Sequence, residues 1–302
     1  MPEVWRRLYT EAGLLWAVHD LVRHTGDDAF WEGVVARLDM VLIVAGAPGE
    51  GRRELVNDLI DLVQETHLPS PPWNPPISSQ DTRASYSSSA GSGSDSDFDF
   101  DSDSTPPPPK RLRPNSSAPT LVAPTADHPL LLAPNPIPSL PHPPSLSSFL
   151  KSHLNTPFIL RGYLHQTSWP ALSPPTPWSS RAYLLSVAGR GRIVPVEIGG
   201  EYTDEGWGQG MVPFEEFLDR IGFGEEGKDK DQDGRPPLYL AQHSLLTQFP
   251  KLRRDVLLPD YVYSEPPEVE GGYQRPRNEE GVLMNVWVGG EGRSSPSHTV
   301  SP

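Results

Sequence analysis

The chain has 302 residues, 37 of them proline and 26 glycine, with 36% hydrophobic content and a net charge of −14. That composition leaves part of the chain without enough apolar surface to pack, so one or two domains joined by linker are expected. The acidic balance excludes a general nucleic-acid-binding protein, which carries a basic face, and the absence of cysteine excludes disulfides and thiolate metal sites. A cysteine-free chain is consistent with a reducing intracellular compartment. The opening residues MPEVW lead into no basic-then-apolar secretory pattern, and no apolar run reaches the ~18 residues of a membrane span.

Residues 1–68 read as a helical module. Val4, Leu8, Ala12, Leu15, Val18 and Val22 recur at helical spacing, as do Phe30, Val34, Val35, Leu38, Val41, Leu42 and Val44, and then Leu55, Leu59, Leu62 and Val63. Gly26-Asp27-Asp28 and Ala47-Pro48-Gly49 are expected to break the pattern into three helices. So small a unit has a thin core and is expected to lean on a neighbouring module. The run from Gly46 to Arg53 has the outline of a phosphate-binding loop. Arginine stands at both the Lys and the Ser/Thr positions, and the preceding run is helical, so a helix-joining turn is the better reading.

Residues 69–144 form a Pro/Ser/Asp-rich linker, expected to be disordered. Its SDSDFDFDSDS tract, Ser94 to Ser104, alternates as a strand would, but its like charges repel and only Phe98 and Phe100 are apolar. It serves either as plain linker or as an acidic interaction or phosphorylation segment. Beyond it, Lys110-Arg111-Leu112-Arg113 is either a solvated basic patch or a nuclear import signal; its accessible setting favours the signal.

A second folded region, 145–302, opens with a short helix around Leu146, Phe149 and Leu150, then a strand from Pro157 to Gly162. Two further strands are predicted at Ala182–Val187 and Arg192–Ile198, turning at Gly189-Arg190-Gly191. Met211 to Arg220 reads as an amphipathic helix presenting Phe214, Phe217 and Leu218, and Gly224 to Pro237 as an exposed loop. Leu238–His243 is the next strand, Ser244–Asp255 a helix-turn segment, and Glu265–Glu280 an acidic loop. Leu283 to Val288 alternates as a half-buried strand, with Leu283, Asn285 and Trp287 on one face and Met284, Val286 and Val288 on the other. A glycine turn and the run Ser-Pro-Ser-His298 follow.

The ordered series PFILRGY, WPA, PVEIG, YTDEGW, FEEFL, YLAQH, LPDY and NVW, ending in SPSH, resembles the JmjC-type 2-oxoglutarate oxygenases. The resemblance lies with their cupin-like, lysine-demethylase-like and arginyl-hydroxylase branch and covers Ser145 to His298. It implies an α+β protein: the helical module plus the N-terminal half of a double-stranded β-helix, or jelly roll. It also implies Fe(II) and 2-oxoglutarate as cofactors, and hydroxylation or demethylation of a protein substrate, with histone as a candidate.

Residue by residue, Tyr239 corresponds to the tyrosine that hydrogen-bonds the 2-oxoglutarate carboxylate. Ser295 lines that pocket, Trp287 stands in its wall, and His298 matches the first iron ligand. The family's carboxylate ligand falls two residues later, where this chain has Val300, whose isopropyl group ligates nothing. The distal histidine and the 2-oxoglutarate-binding lysine have no counterpart before Pro302. The resemblance therefore implies a chain without turnover, truncated or continued in a longer transcript. A non-catalytic scaffold using the helical module and acidic linker is the alternative, with Tyr239 and Trp287 as ordinary core aromatics.

Overall fold

The computed structural model describes residues 1–70, 72–74, 137–154, 156–173, 175–200, 206–223, 235–264 and 281–290. Most of the linker, with its acidic tract and its basic run, nearly all of the two loops at 224–237 and 265–280, and Ser295, His298 and Val300 lie outside the described residues. Two compact units divide the chain. The larger comprises Met1–Pro76, Leu140–Thr156 and Leu160–Pro302; the smaller comprises Ile77–Ser139 and Pro157–Ile159. In the smaller unit the Ile159 amide donates to the Pro138 carbonyl at 2.9 Å.

In the larger unit, α1 (Glu3–Arg23), α2 (Asp28–Met40) and α3 (Arg52–His67) form the expected three helices. The Asp27 carboxylate starts α2 by accepting from the Phe30 amide at 3.0 Å, an N-cap bond that satisfies an otherwise orphan donor. The π-turn Val41–Ala45 continues α2 and ends at left-handed Gly46. The chain then turns through Gly49 and Gly51, both at positive φ, into α3. The Gly46–Arg53 run is thus the helix-joining turn expected of it.

The sequence points to the wrong face of α1. Thr10, Leu14, Ala17 and Asp20 are buried, whereas Val4, Leu8, Leu15, Val18 and Val22 lie in the open, Leu15 at 71% and Val22 at 75% exposure. Gly13 explains the choice. A Cβ there would stand 2.4 Å from Val41 Cγ2, so α1 approaches the end of α2 on its glycine side. Leu14, Ala17, Trp31, Val34, Val35, Leu38, Val56, Ile60 and Val63 form the module's core.

Short elements precede the sheet: β1 (Ser139–Leu140), α4 (Leu146–Ser152), β2 (Ile159–Leu160) and α5 (Tyr163–Gln166). The strand predicted from Pro157 to Gly162 is therefore two residues long. The segment Ala182–Val187, predicted as a strand, is a helix, α6 (Arg181–Ala188). The Ser180 hydroxyl accepts from the Tyr183 amide at 3.2 Å and Gly189 stops the helix at positive φ, so caps outweigh the β-rich composition.

The sheet has four antiparallel strands in the order β4-β3-β5-β6. They are β3 (Ile193–Ile198), β4 (Gly208–Pro213), β5 (Leu238–His243) and β6 (Val286–Gly289). Met211–Pro213, read from sequence as helix, closes β4; Pro213 caps α7 (Phe214–Arg220), which starts one residue later. One face of the sheet carries Val194, Val196, Leu238 and Leu240 against Tyr183, Leu184, Phe214, Phe217, Leu218, Leu245, Phe249 and Leu252. The chain is thus α+β, with a helical N-terminus and a partial sheet structure.

The helical module does lean on the sheet. Asp39 of α2 and Arg192, the residue before β3, form a buried ion pair, Nε to both carboxylate oxygens at 3.0 Å and Nη2 to Oδ1 at 2.8 Å. Asp39 also accepts from the Ile193 amide at 2.9 Å, and Arg192 donates to the Gln248 carbonyl at 2.7 Å. Both carboxylate oxygens and the Nε and Nη2 of the guanidinium thereby have partners, as a buried pair requires. Removing one partner leaves an uncompensated buried charge. Asp39→Ala or Arg192→Leu is expected to cost about 3–5 kcal/mol in urea unfolding, and the double variant to recover a large part of that loss.

Candidate functional site: the open face of the sheet

Strand geometry sorts the sheet's side chains by parity. With Val194, Val196, Leu238, Leu240, Val286 and Val288 toward the core, the alternate residues line the opposite face. Register pairs Pro195 with Met211, Glu197 with Gln209, and Glu197 with Tyr239. On its other side Tyr239 pairs with Gly289, and Trp287, two residues back from Gly289, shares that face. Tyr239 and Trp287 are thus diagonal neighbours, opposite a glycine that leaves room between them. The parity expected for the last strand holds: Met284, Val286 and Val288 pack on the core, while Leu283 and Trp287 are 74% and 49% exposed. The strand itself is shorter and later than expected, at Val286–Gly289. Neither Tyr239 nor Trp287 belongs to the buried core, so the reading of both as core aromatics fails.

A cavity of about 320 Å³ lies over this face, lined by Pro195, Glu197, Gln209, Met211 and Ala241. Its chemistry is a carboxylate, a carboxamide and a thioether, with the Tyr239 phenol alongside on β5. The indole N–H of Trp207, just before β4, is buried without an acceptor among the described residues. Sequence reading singled out neither Glu197, Gln209 nor Trp207. Register was the signal that would have found the first two, and it is not visible in a single strand.

A bulge decides where His243 goes. β5 advances three positions, Leu240 to His243, where β6 advances two, Val288 to Val286, and Gln242 takes a positive φ of 49°. The extra residue moves His243 off the open face and onto the core side. There its Nε2 meets Gln248 Oε1 at 2.6 Å, and Gln248 Nε2 donates to the Ile193 carbonyl at 2.7 Å. Burial holds the imidazole pKa below its ordinary 6.5, outweighing the Gln248 hydrogen bond. Nearby, buried Asp255 accepts from the Tyr183 hydroxyl at 2.5 Å and the Trp178 indole at 2.9 Å. Burial, and secondarily that bond, raises the Tyr183 pKa far above the phenol range.

The described residues of this face hold no group of three His, Asp or Glu ligand atoms; the group found among the described residues is at the C-terminal end of α1. His298 and Ser295, expected to contribute, lie outside the described residues.

No protein-family model matches the chain. It is 38% identical over 168 residues to lysine-specific demethylase 8 of Danio rerio. It is 37% identical over 130 residues to Jumonji C domain-containing protein 5 of Drosophila melanogaster, and 35% over 156 residues to lysine-specific demethylase JMJ30 of Arabidopsis thaliana. These alignments take in 54%, 43% and 51% of this chain but only 36%, 28% and 31% of the relatives, so the chain spans about a third of their length.

The His243 geometry sets a pH dependence. Its folded pKa lies below its unfolded value, so between the two the unfolded chain binds more protons, and stability falls as pH falls below about 6.5. Urea midpoints measured downward through that range should drop in wild type, and His243→Gln should flatten the drop.

Proposed function

Starting from a chain related to the JmjC domain-containing proteins, we propose that it carries the helical module and the first sheet of a domain built for Fe(II)- and 2-oxoglutarate-dependent oxidation of a protein. Histone is the candidate substrate class. The observation that carries this reading is the placement of Tyr239 and Trp287 at diagonal positions of adjacent strands on the open sheet face. In it, the Tyr239 phenol donates a hydrogen bond to the 2-oxoglutarate carboxylate, Trp287 walls the pocket, and Ser295 and His298 extend the site beyond β6. Lys110–Arg113 supports nuclear placement. No described helix is long and apolar enough to cross a membrane.

We assign no step to iron. His298 is followed at the second position by Val300, which has no donor atom, and the described face supplies no substitute triad. With Val300 at that position the chain is inferred to lack turnover. With Fe(II), ascorbate and 2-oxoglutarate it should release no succinate above the protein-free rate, and its melting temperature should not move, since a ligand stabilises only a state it binds. Sustained succinate release would overturn this, because another carboxylate would then have to be completing the site.

The exposed apolar residues of α1 favour a second reading, a protein-interaction scaffold. Val4, Trp5, Leu8, Leu15, Trp16, Val18 and Val22 form more apolar surface than an isolated helix leaves open without cause. On this reading the chain self-associates with rising concentration in sedimentation, and Leu15→Glu with Val22→Glu removes the association without lowering the melting temperature. A double variant that associates as readily as wild type would rule it out.

A further inference from the structure

The C-terminal end of α1 gathers two imidazoles and a carboxylate that the oxygenase reading leaves unused. Asp20 has a nearly buried side chain, 4% exposed. Its Oδ2 is held by the Arg37 guanidinium of α2, so Oδ1 is the oxygen left facing outward. Oδ1 stands 3.5 Å from His19 Nδ1 and 3.8 Å from His24 Nε2. All three atoms lie within 4.8 Å of one another. Around a tetrahedral Zn²⁺ with bonds of about 2.0–2.2 Å, neighbouring ligand atoms are about 3.3–3.6 Å apart. Small rotations of two half-exposed histidines close that difference.

We propose that His19, Asp20 and His24 bind one Zn²⁺-class divalent ion, with water in the fourth position. Imidazole and carboxylate suit such an ion. Asp20 and His24 are four residues apart and share a helix face, and His19 adjoins Asp20. His24 is also the C-cap, its amide donating to the Asp20 carbonyl at 3.0 Å, so the ion sits at the negative end of a 21-residue helix dipole. Arg37 orients the carboxylate from behind, as an outer partner of a metal ligand does. The Phe30 ring, 5.4 Å from that of His24, restricts the imidazole's swing. Bound there, the ion links the last turn of α1 to its C-cap His24, beside the Asp20–Arg37 pair that already joins this turn to α2. The site is independent of the sheet and of any oxygenase chemistry.

The test uses the full chain freed of metal and titrated with Co²⁺, whose visible spectrum reports tetrahedral coordination, followed by displacement with Zn²⁺. One equivalent is expected to bind. His19→Ala and His24→Ala each weaken binding at least tenfold, and the double variant loses the spectrum. Zn²⁺ raises the melting temperature of wild type but not of the double variant. Circular dichroism without metal checks that the variants fold, and His24→Gln replaces any that does not. Wild type taking up no Co²⁺ overturns the site; so does an unchanged spectrum in the double variant, which would put the ion on other imidazoles of the chain.

Discussion

Asp39 sits in the last turn of α2 and accepts hydrogen bonds from the entry to β3: the guanidinium of Arg192, just before the strand, and the Ile193 amide that opens it. Taking a carboxylate and a guanidinium out of water is costly, and the cost is offset only when every lone pair and N–H is used. Here both carboxylate oxygens and the guanidinium Nε and Nη2 are used, and Phe249 covers the guanidinium at 4.4 Å. The network runs on from Arg192 to the Gln248 carbonyl, from the Gln248 amide to the Ile193 carbonyl and to His243. The start of β3 and the end of β5 are thus both referenced to one residue of the helical module, 153 positions before Arg192.

Around that anchor other contacts repeat the same connection at lower stakes. Gln64 of α3 donates to the carbonyls of Ala188 and Arg190 at 3.1 and 2.7 Å, clasping the turn between α6 and β3. Gly189 allows that approach, since a Cβ there would meet the Gln64 Oε1 at 2.4 Å, and Gly191 lets the same turn reach α2, where a Cβ would meet the Glu32 backbone at 2.8 Å. Arg190 reaches Asp28 and Glu32, but these groups are substantially exposed and such pairs contribute little. Burial, not the number of ion pairs, makes Asp39–Arg192 the dominant link.

The anchored sheet has two chemically different faces. One is a closed apolar core, and the other presents Glu197, Gln209, Met211, Tyr239 and Trp287. The bulge at Gln242 keeps those faces distinct by sending His243 inward, to a glutamine rather than to the open cavity. An imidazole in the YLAQH run therefore serves the Asp39 network, and the open face keeps its phenol, carboxylate and indole without it.

Much of this was legible from the residues. The three helices and their breaks, the strands at 193–198 and 238–243, and the parity of the last strand all follow from local spacing, because each depends on neighbours a few positions away. So does the kinship, since an ordered series of short motifs survives even where each alone is weak. What local spacing could not settle was which of two helical stripes on α1 is buried, whether Ala182–Val187 is helix or strand, and where β4 gives way to α7. Gly13 against Val41 settled the first, Ser180 with Gly189 and packing on the sheet core the second, and pairing with β3 the third. The pairing of Tyr239 with Glu197 and Gly289, and of Asp39 with Arg192, likewise belongs to the tertiary structure alone. Periodicity says that a residue faces something; only the partner brought from elsewhere in the chain says what.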